Sequence, residues 1–431
     1  MFPCMLISIF AGFPVAFALM GIAFLFGLVG FEGGIFPMLI RRVYSQAENY
    51  VLAAVPLFVF MGTLLERSGI AHKLFNAISI WTGRLRGGLA MATVLMCTII
   101  AACTGIIGAS EVMVGVMAIP AMLKRNYRHS LICGTICAGG SLGTLIPPSV
   151  VTVVYGPAAG LSVGRLLIAS IFPGLLLSLI YLVYIGIRSY LSPSIAPPVP
   201  VEELRIPIKE KISMTATALL PPLLLIFAVM GSIVFGLAAP TEAAALGAFG
   251  ALVLTAIYGQ LTLQSLKETV FQTLRITSMM MLILTGGYMF SGVFLGLGGG
   301  DVTEKILMGL PFGRGGILVL FLAIAFLSGF FLDWASILLV FIPIFSPIIV
   351  KLGFDPIWFG ILFIMMIQTS YLTPPLAPAI FYLKSIVPPE VTMREMFYGV
   401  IPYVLLQLTG IFLVALIPQI ALWLPSKIIG W

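Results

Sequence analysis

Charge and histidine are what this sequence has least of. Only 9% of its residues are charged and only two are histidine, His72 and His129. A typical soluble domain is about one quarter charged, so a chain solvated on all sides is excluded. Neither a His-Glu-x-x-His segment nor an Asp-rich metal motif is present, which removes the usual constellations of an intramembrane enzyme. The five cysteines, Cys4, Cys97, Cys103, Cys133 and Cys137, all lie inside apolar stretches and read as small packing residues. Cys133 and Cys137 are one helical turn apart, but no further metal ligand lies nearby. Ten-residue alternating strands are missing, which argues against a closed β-barrel. The first apolar stretch is not followed by a small-residue cleavage site and reads as part of the fold. What is abundant is apolar residues, 61% of the chain, and these define an all-α polytopic membrane protein. The net charge of +7 is a matter of membrane orientation and calls for no nucleic-acid partner.

The chain reads as two copies of one unit. The stretch from Gly12 to Gly21 recurs from Ala238 to Gly247; further on Pro120 matches Pro347, Lys124 matches Lys351, and Pro147-Pro148 matches Pro374-Pro375. Spans are expected at 1–11, 13–30, 50–66, 130–156 and 166–188, then at 216–237, 240–258, 276–296, 356–386 and 396–424. Between the third and fourth span of each half lies an apolar stretch too long for one helix and broken at its centre. One runs over 88–122 around Thr104-Gly105-Ile106-Ile107-Gly108, the other over 315–350 around Ser328-Gly329. Each reads as a re-entrant hairpin, tolerable only where the tip is buried in protein or faces a wet cavity. Five crossings per half invert the second copy relative to the first. The expected organisation is a first repeat at 1–190, a cytoplasmic linker at 191–215 and a second repeat at 216–431.

With the amino terminus outside, the 22 basic residues divide into fifteen on one side (Arg67, Lys73, Arg84, Arg86, Lys124, Arg125, Arg128, Arg188, Arg205, Lys209, Lys211, Lys267, Arg275, Lys384, Arg394) and seven on the other. The positive-inside rule makes the richer side cytoplasmic. Ile70 to Trp81 reads either as an amphipathic helix along that surface or as a loop. The first span lacks about a dozen residues found upstream of its counterpart near Thr215, so a native start before Met1 is expected.

Chemistry is expected where helices break. Gly143-Thr144-Leu145-Ile146-Pro147-Pro148-Ser149 interrupts the fourth span, and Ser370-Tyr371-Leu372-Thr373-Pro374-Pro375 interrupts its mate. A proline inside a helix removes a donor and frees the carbonyl one turn earlier, and bare carbonyls with nearby hydroxyls suit a hard cation such as Na+. Each break joins its hairpin tip: Thr104 and Gly105 for the first, Ser328 and Gly329 for the second. Ionisable groups at membrane depth need a reason, since a charge there costs at least about 2.5 kcal/mol. Asp333 is either a substrate-proximal group or the N-cap of its helix. Glu242 sits in a helix's first turn, where negative charge is favoured in any case. Glu111 is either a coupling proton site or faces water, and Gln368 either binds a substrate oxygen or packs between helices.

Six motifs, in order along nearly the whole chain, resemble one family. These are Gly12 to Ala18 (Gly-Phe-Pro-Val-Ala-Phe-Ala), Val55 to Gly62, Gly83 to Ala90, Ile146 to Ser149, Pro240 to Ala244 and Leu372 to Pro375. Together they are similar to the large membrane (permease) subunit of TRAP, or tripartite ATP-independent periplasmic, transporters. The resemblance implies sodium-driven import of an organic acid by an elevator movement in the bacterial inner membrane. It implies two partners, a small four-helix membrane subunit and a periplasmic solute-binding protein, with Na+ as coupling ion, no organic cofactor and no enzymatic activity. It places Thr104, Gly105, Gly143, Ile146 and Pro148 at a first sodium site, and Ser328, Gly329, Ser370, Thr373 and Pro375 at a second. Ser110, Glu111, Ser149, Asp333 and Gln368 then fall near substrate. Ser370, Ala377 and Glu111 depart from the common pattern of that family. The alternatives are a stand-alone sodium/divalent-anion symporter and a proton-coupled carboxylate carrier.

Overall fold

The computed structural model describes residues 1–105 and 108–428, with backbone alone at Glu32, Ala109, Val201 and Leu204; Ile106 and Ile107, at the centre expected for the first hairpin tip, lie outside the described residues. The first half comprises α1 (Phe2–Phe10), α2 (Val15–Phe31), α3 (Ile35–Ala47), α4 (Ala54–Arg67) and α5 (Ile70–Thr82). It continues with α6 (Gly88–Thr104), α7 (Ala109–Leu123), α8 (His129–Ser141), α9 (Val150–Ala159) and α10 (Val163–Leu191). The second half comprises α11 (Ile208–Val234), α12 (Pro240–Ile257), α13 (Leu263–Gly296), α14 (Gly299–Met308) and α15 (Arg314–Ser328). After these come α16 (Trp334–Lys351), α17 (Pro356–Leu372), α18 (Pro378–Lys384), α19 (Met393–Leu416) and α20 (Gln419–Ile428). Among the described residues seven helices are long and apolar enough to cross a membrane. Arms such as α6, with 17 residues, and α15, with 15, fall short: at 1.5 Å per residue they reach roughly 22–26 Å, against about 30 Å of hydrocarbon.

Three elements depart from the sequence expectation for one physical reason. α3 carries Arg41 and Arg42, α14 carries Asp301 and Lys305, and α13 begins at Leu263 through a polar first stretch with Lys267, Glu268 and Arg275, all unreadable as apolar runs. Tertiary contacts hold them instead. Arg67 at the end of α4 pairs with Glu268 and reaches Gln272 at 3.2 Å. On α3, the Gln46 amide donates to Met281 O at 3.1 Å and accepts from the Thr285 hydroxyl at 2.9 Å. The stretch from Ile70 is helical as α5, burying Ile70, Leu74, Phe75 and Ile78 on one face.

One group of helices packs α13 against α2, α3 and α4, with α12 laid on α4 and α11; another packs α19 on α8, α17 and α10. α8 and α19 approach so closely that a Cβ at Gly134 would come 2.1 Å from Gly399 O, a crossing that only small residues permit. The linker is tied down rather than loose. Gly87 N donates to Ala196 O at 3.0 Å, Arg128 N to Ile195 O at 2.9 Å, and Arg125 pairs with Glu203, holding that carboxyl below the usual carboxylate range.

Candidate functional site

The prolines act at the first break as their chemistry requires. α8 ends at Ser141, a short 3-10 turn follows over Leu142–Thr144, and α9 restarts at Val150 behind the N-cap Ser149. All of residues 141–150 are buried. Pro147 has no N–H to give Gly143 O, and among the described residues the carbonyls of Gly143, Ile146 and Pro148 accept no backbone hydrogen bond. The hairpin tip closes on this backbone. Gly105 adopts φ +61°, and a Cβ there would stand 2.5 Å from Pro148 O; Val150 N reaches Gly105 O at 3.5 Å. The Thr104 hydroxyl is buried and lies 3.0 Å from Ile100 O and 2.8 Å from the Ser110 hydroxyl. Gly62 of α4 backs the tip, since a Cβ at that position would come 2.8 Å from Thr104 O. Ser149 donates its hydroxyl to Thr144 O, and Ile146 packs over Gly174 of α10.

The second break repeats the construction with less cover. α17 ends at Leu372 and α18 begins at Pro378. Pro374, Pro375 and Leu376 are exposed and Thr373 is half-buried. Gly329 meets this helix directly: a Cβ on it would lie 2.0 Å from Ser370 Oγ. The Ser370 hydroxyl donates to Ile367 O at 2.7 Å and that of Thr373 to Thr369 O at 2.9 Å. Ser328 is half-buried, with its carbonyl already accepting from Phe331 N at 3.0 Å and Leu332 N at 2.9 Å. Both Pro-Pro bonds, 147–148 and 374–375, are cis.

A cavity of about 730 Å³ lies between the two tips and the first helix group. Gly108 enters it from the first tip, Asp333 and Trp334 from the second, and Tyr371 and Tyr382 from either side of the second break; Glu66 comes from the end of α4 and Gln272 from the first third of α13. Glu66, Tyr371 and Tyr382 were not singled out from sequence, although Tyr371 stands inside the broken motif itself. Asp333 has two engagements. It caps α16, accepting from Ala335 N at 3.1 Å and from the Ser336 hydroxyl, and it lines the cavity.

Other expected residues fall elsewhere. Gln368 is buried between helices: its amide donates to Ser141 Oγ at 3.2 Å and its carbonyl oxygen lies 3.1 Å from the Thr144 hydroxyl. Gln407 Nε2 also reaches Ser141 Oγ, at 3.2 Å, so a polar knot ties the first break to α17 and α19. Glu111 is fully buried against Gly140 of α8, and neither carboxyl oxygen finds a hydrogen-bond partner among the described residues. Glu242 accepts from Ala239 N at 2.8 Å and so closes the first turn of α12.

Among the described residues no group of three His, Cys, Asp or Glu side chains is placed to hold a metal ion. The donor set on offer is neutral oxygen, carbonyl and hydroxyl, which fits a monovalent hard cation better than a transition metal.

The family model described as tripartite ATP-independent periplasmic transporter, DctM component, matches residues 2–420. Curated relatives include the C4-dicarboxylate TRAP transporter large permease protein DctM of Pseudomonas aeruginosa, 32% identical over 89% of this chain and 88% of that protein. The ectoine/5-hydroxyectoine TRAP transporter large permease protein UehC of Ruegeria pomeroyi is 30% identical over 98% of this chain and 97% of its own. The sialic acid TRAP transporter large permease protein SiaM of Vibrio cholerae is 29% identical over 98% and 97%. Among solved structures, the YdaH transporter of Alcanivorax borkumensis, described as having an unusual topology, superposes with a TM-score of 0.65 at 15% identity, covering 96% of this chain and 97% of that one. At that identity the likeness speaks for the fold alone.

Proposed function

The chain belongs to the DctM-component family of tripartite ATP-independent periplasmic transporters, and on that premise we propose that it is the large, multi-pass inner-membrane subunit of a sodium-coupled importer of an organic acid. The small membrane subunit and the periplasmic binding protein of such systems are its partners. Hairpins α6–α7 and α15–α16, with the broken pairs α8–α9 and α17–α18, form a transport module that slides as an elevator. The helices around residues 1–66 and 216–296 form the scaffold.

The observation that carries this reading is the buried set of carbonyls at Gly143, Ile146 and Pro148 that accept no backbone hydrogen bond among the described residues, with Pro148 O against Gly105 of the tip. Buried carbonyls without donors cost free energy unless something with positive charge completes them. Na+ does so at the first site, with Ser328, Ser370, Thr373 and Pro375 serving the second. The substrate carboxylate lies in the 730 Å³ cavity, near the amino end of α7, where the helix dipole favours negative charge. Since that cavity runs from both tips to Glu66 and Gln272, on the side richer in basic residues, the conformation reads as open to the cytoplasm. Binding of substrate only to the sodium-loaded module couples the two by differential affinity.

The test is thermal stability of the purified membrane protein with its small partner, titrated with Na+ against K+ at constant ionic strength. A ligand at ten times its dissociation constant adds about 1.4 kcal/mol to the folded state. A sodium-specific rise lost in Thr104→Ala supports the cage; identical curves in the two cations overturn it. A second reading, proton coupling, is favoured by the unpartnered carboxyl of Glu111. It requires uptake that follows pH and ignores sodium.

A further inference from the structure

The basic residues that pair with nothing lead to a site the transport reading does not use. On the side that collects fifteen of the 22 Lys and Arg residues, the ends of α8, α10 and α19 enclose a pocket of about 200 Å³ with Arg128, Ser130, Tyr184, Arg188, Ile195 and Tyr398 in its walls. Arg128 and Arg188 are exposed, and among the described residues neither makes an ion pair. The nearby acid Glu395 is engaged elsewhere, 3.0 Å from His129. A third guanidinium, that of Arg394, lies over the Tyr398 ring at 5.5 Å.

The backbone adds donors. α8, 13 residues long, starts in the pocket; Leu131 N and Ile132 N return to Arg128 O at 2.9 and 3.2 Å, whereas the amides of His129 and Ser130 have no backbone acceptor among the described residues. Two unpaired guanidinium forks beside a helix amino terminus form a receptor for a phosphate-like anion. A soluble anion and a lipid headgroup share that chemistry, but the surroundings favour the lipid. Beyond the pocket the outer faces of α10 and α19 stay apolar and exposed, with Val183, Ile187, Ile401 and Leu405 each at least half accessible. Tyr184 and Tyr398 stand at the mouth, the level where aromatic rings collect in membrane proteins.

We propose that this pocket binds the phosphate of an anionic phospholipid of the cytoplasmic leaflet, with an acyl chain lying along α10 and α19. The headgroup joins the start of α8, the end of α10 and the linker at Ile195, whose carbonyl already accepts from Arg128 N at 2.9 Å. The site is independent of the sodium reading, because none of its residues lies at a hairpin tip or a helix break.

The experiment titrates the detergent-purified complex of this chain and its small partner with dioleoylphosphatidylglycerol, dioleoylphosphatidylcholine or inorganic phosphate, reading the thermal midpoint. Phosphatidylglycerol gives a saturable rise, and the other two give none. Near a membrane surface each basic residue contributes enough that Arg128→Gln or Arg188→Gln weakens the apparent affinity about fivefold, and the pair roughly thirtyfold. Lys209→Gln with Lys211→Gln removes the same charge from the start of α11 and leaves the affinity unchanged. Should the double arginine variant fail to fold, Arg188→Gln alone, at the exposed end of α10, carries the test. An equal rise with phosphatidylcholine, a rise that persists without the arginines, or an equal rise with inorganic phosphate overturns the assignment.

Discussion

The two breaks carry the same helix-stopping doublet and meet their hairpin tips in the same way, yet one is sealed and the other open. Every residue from 141 to 150 is buried, while Pro374 to Leu376 face outward. At the first, glycine is demanded by backbone: Gly105 has φ +61° and lies against Pro148 O. At the second, Gly329 has φ −66° and its close neighbours are Oγ and Cβ of Ser370, at 2.0 and 2.3 Å from an added Cβ. Similar sequence therefore yields one buried break met by backbone and one exposed break met by a side chain. In the proposed cycle these correspond to a permanent ion site and a site that opens with substrate.

The sharpest way to break this comparison is alanine at the two tips. Gly105→Ala adds a left-handed penalty of about 1–2 kcal/mol to overpacking of about 1–3 kcal/mol against unyielding backbone, so a loss of roughly 3 kcal/mol is expected. Gly329→Ala meets Ser370 Oγ at 2.0 Å and Ser370 Cβ at 2.3 Å, of which a rotamer change relieves only the first, so it should cost the overpacking of about 1–3 kcal/mol without the left-handed penalty. Thermal unfolding of both variants in K+ measures this, and equal losses would erase the distinction between sealed and open.

Next in size is the knot behind the first break. Gln368→Leu leaves Thr144 without its partner from the other half of the chain and Ser141 with Gln407 alone, and losing a buried hydrogen-bond partner costs about 1–3 kcal/mol. The comparison is sharpened by Thr373→Val on the open side, where the hydroxyl bonds only within its own helix; its loss should stay within about 1 kcal/mol. Urea or thermal unfolding of both decides, and a larger effect at Thr373 would show that the second break is the tighter one.

How much of this was readable beforehand follows from the nature of each signal. Proline pairs in apolar runs are visible as letters, so the ends of α8 and α17 fall at the expected breaks, and the Asp333 N-cap was one of two stated options. Enclosure is not visible in letters. Pro147-Pro148 and Pro374-Pro375 read alike, and it is packing of α6, α10 and α16 around the first that buries it. Gln368 was ambiguous because an amide at that depth suits substrate or a neighbouring helix equally; its partners Ser141 and Thr144 come from 227 and 224 residues away. α3, α14 and the start of α13 escaped notice because their charges hide them from hydropathy, while ion pairs such as Arg67 with Glu268 hold them in place. Glu66 was not singled out, because a carboxylate beside Arg67 at a span's end carries no signal in the letters that separates it from a solvated charge.

The smallest expected effect separates two roles held by one side chain. Asp333 both caps α16 and lines the cavity. Asparagine caps a helix about as well as aspartate, whereas alanine costs about 1 kcal/mol. Asp333→Asn should therefore unfold within a few tenths of a kcal/mol of the parent while Asp333→Ala falls by about 1 kcal/mol. If the carboxylate serves only as a cap, the asparagine variant also keeps the full sodium-dependent rise in thermal midpoint. If its charge helps hold cation at the open site, that rise shrinks in Asp333→Asn although the fold is intact. The same variant leaves the sealed site untouched, so the part of the sodium response that is lost is the open site's and the Thr104 site keeps its own. The two sites are then separated by a change of one atom.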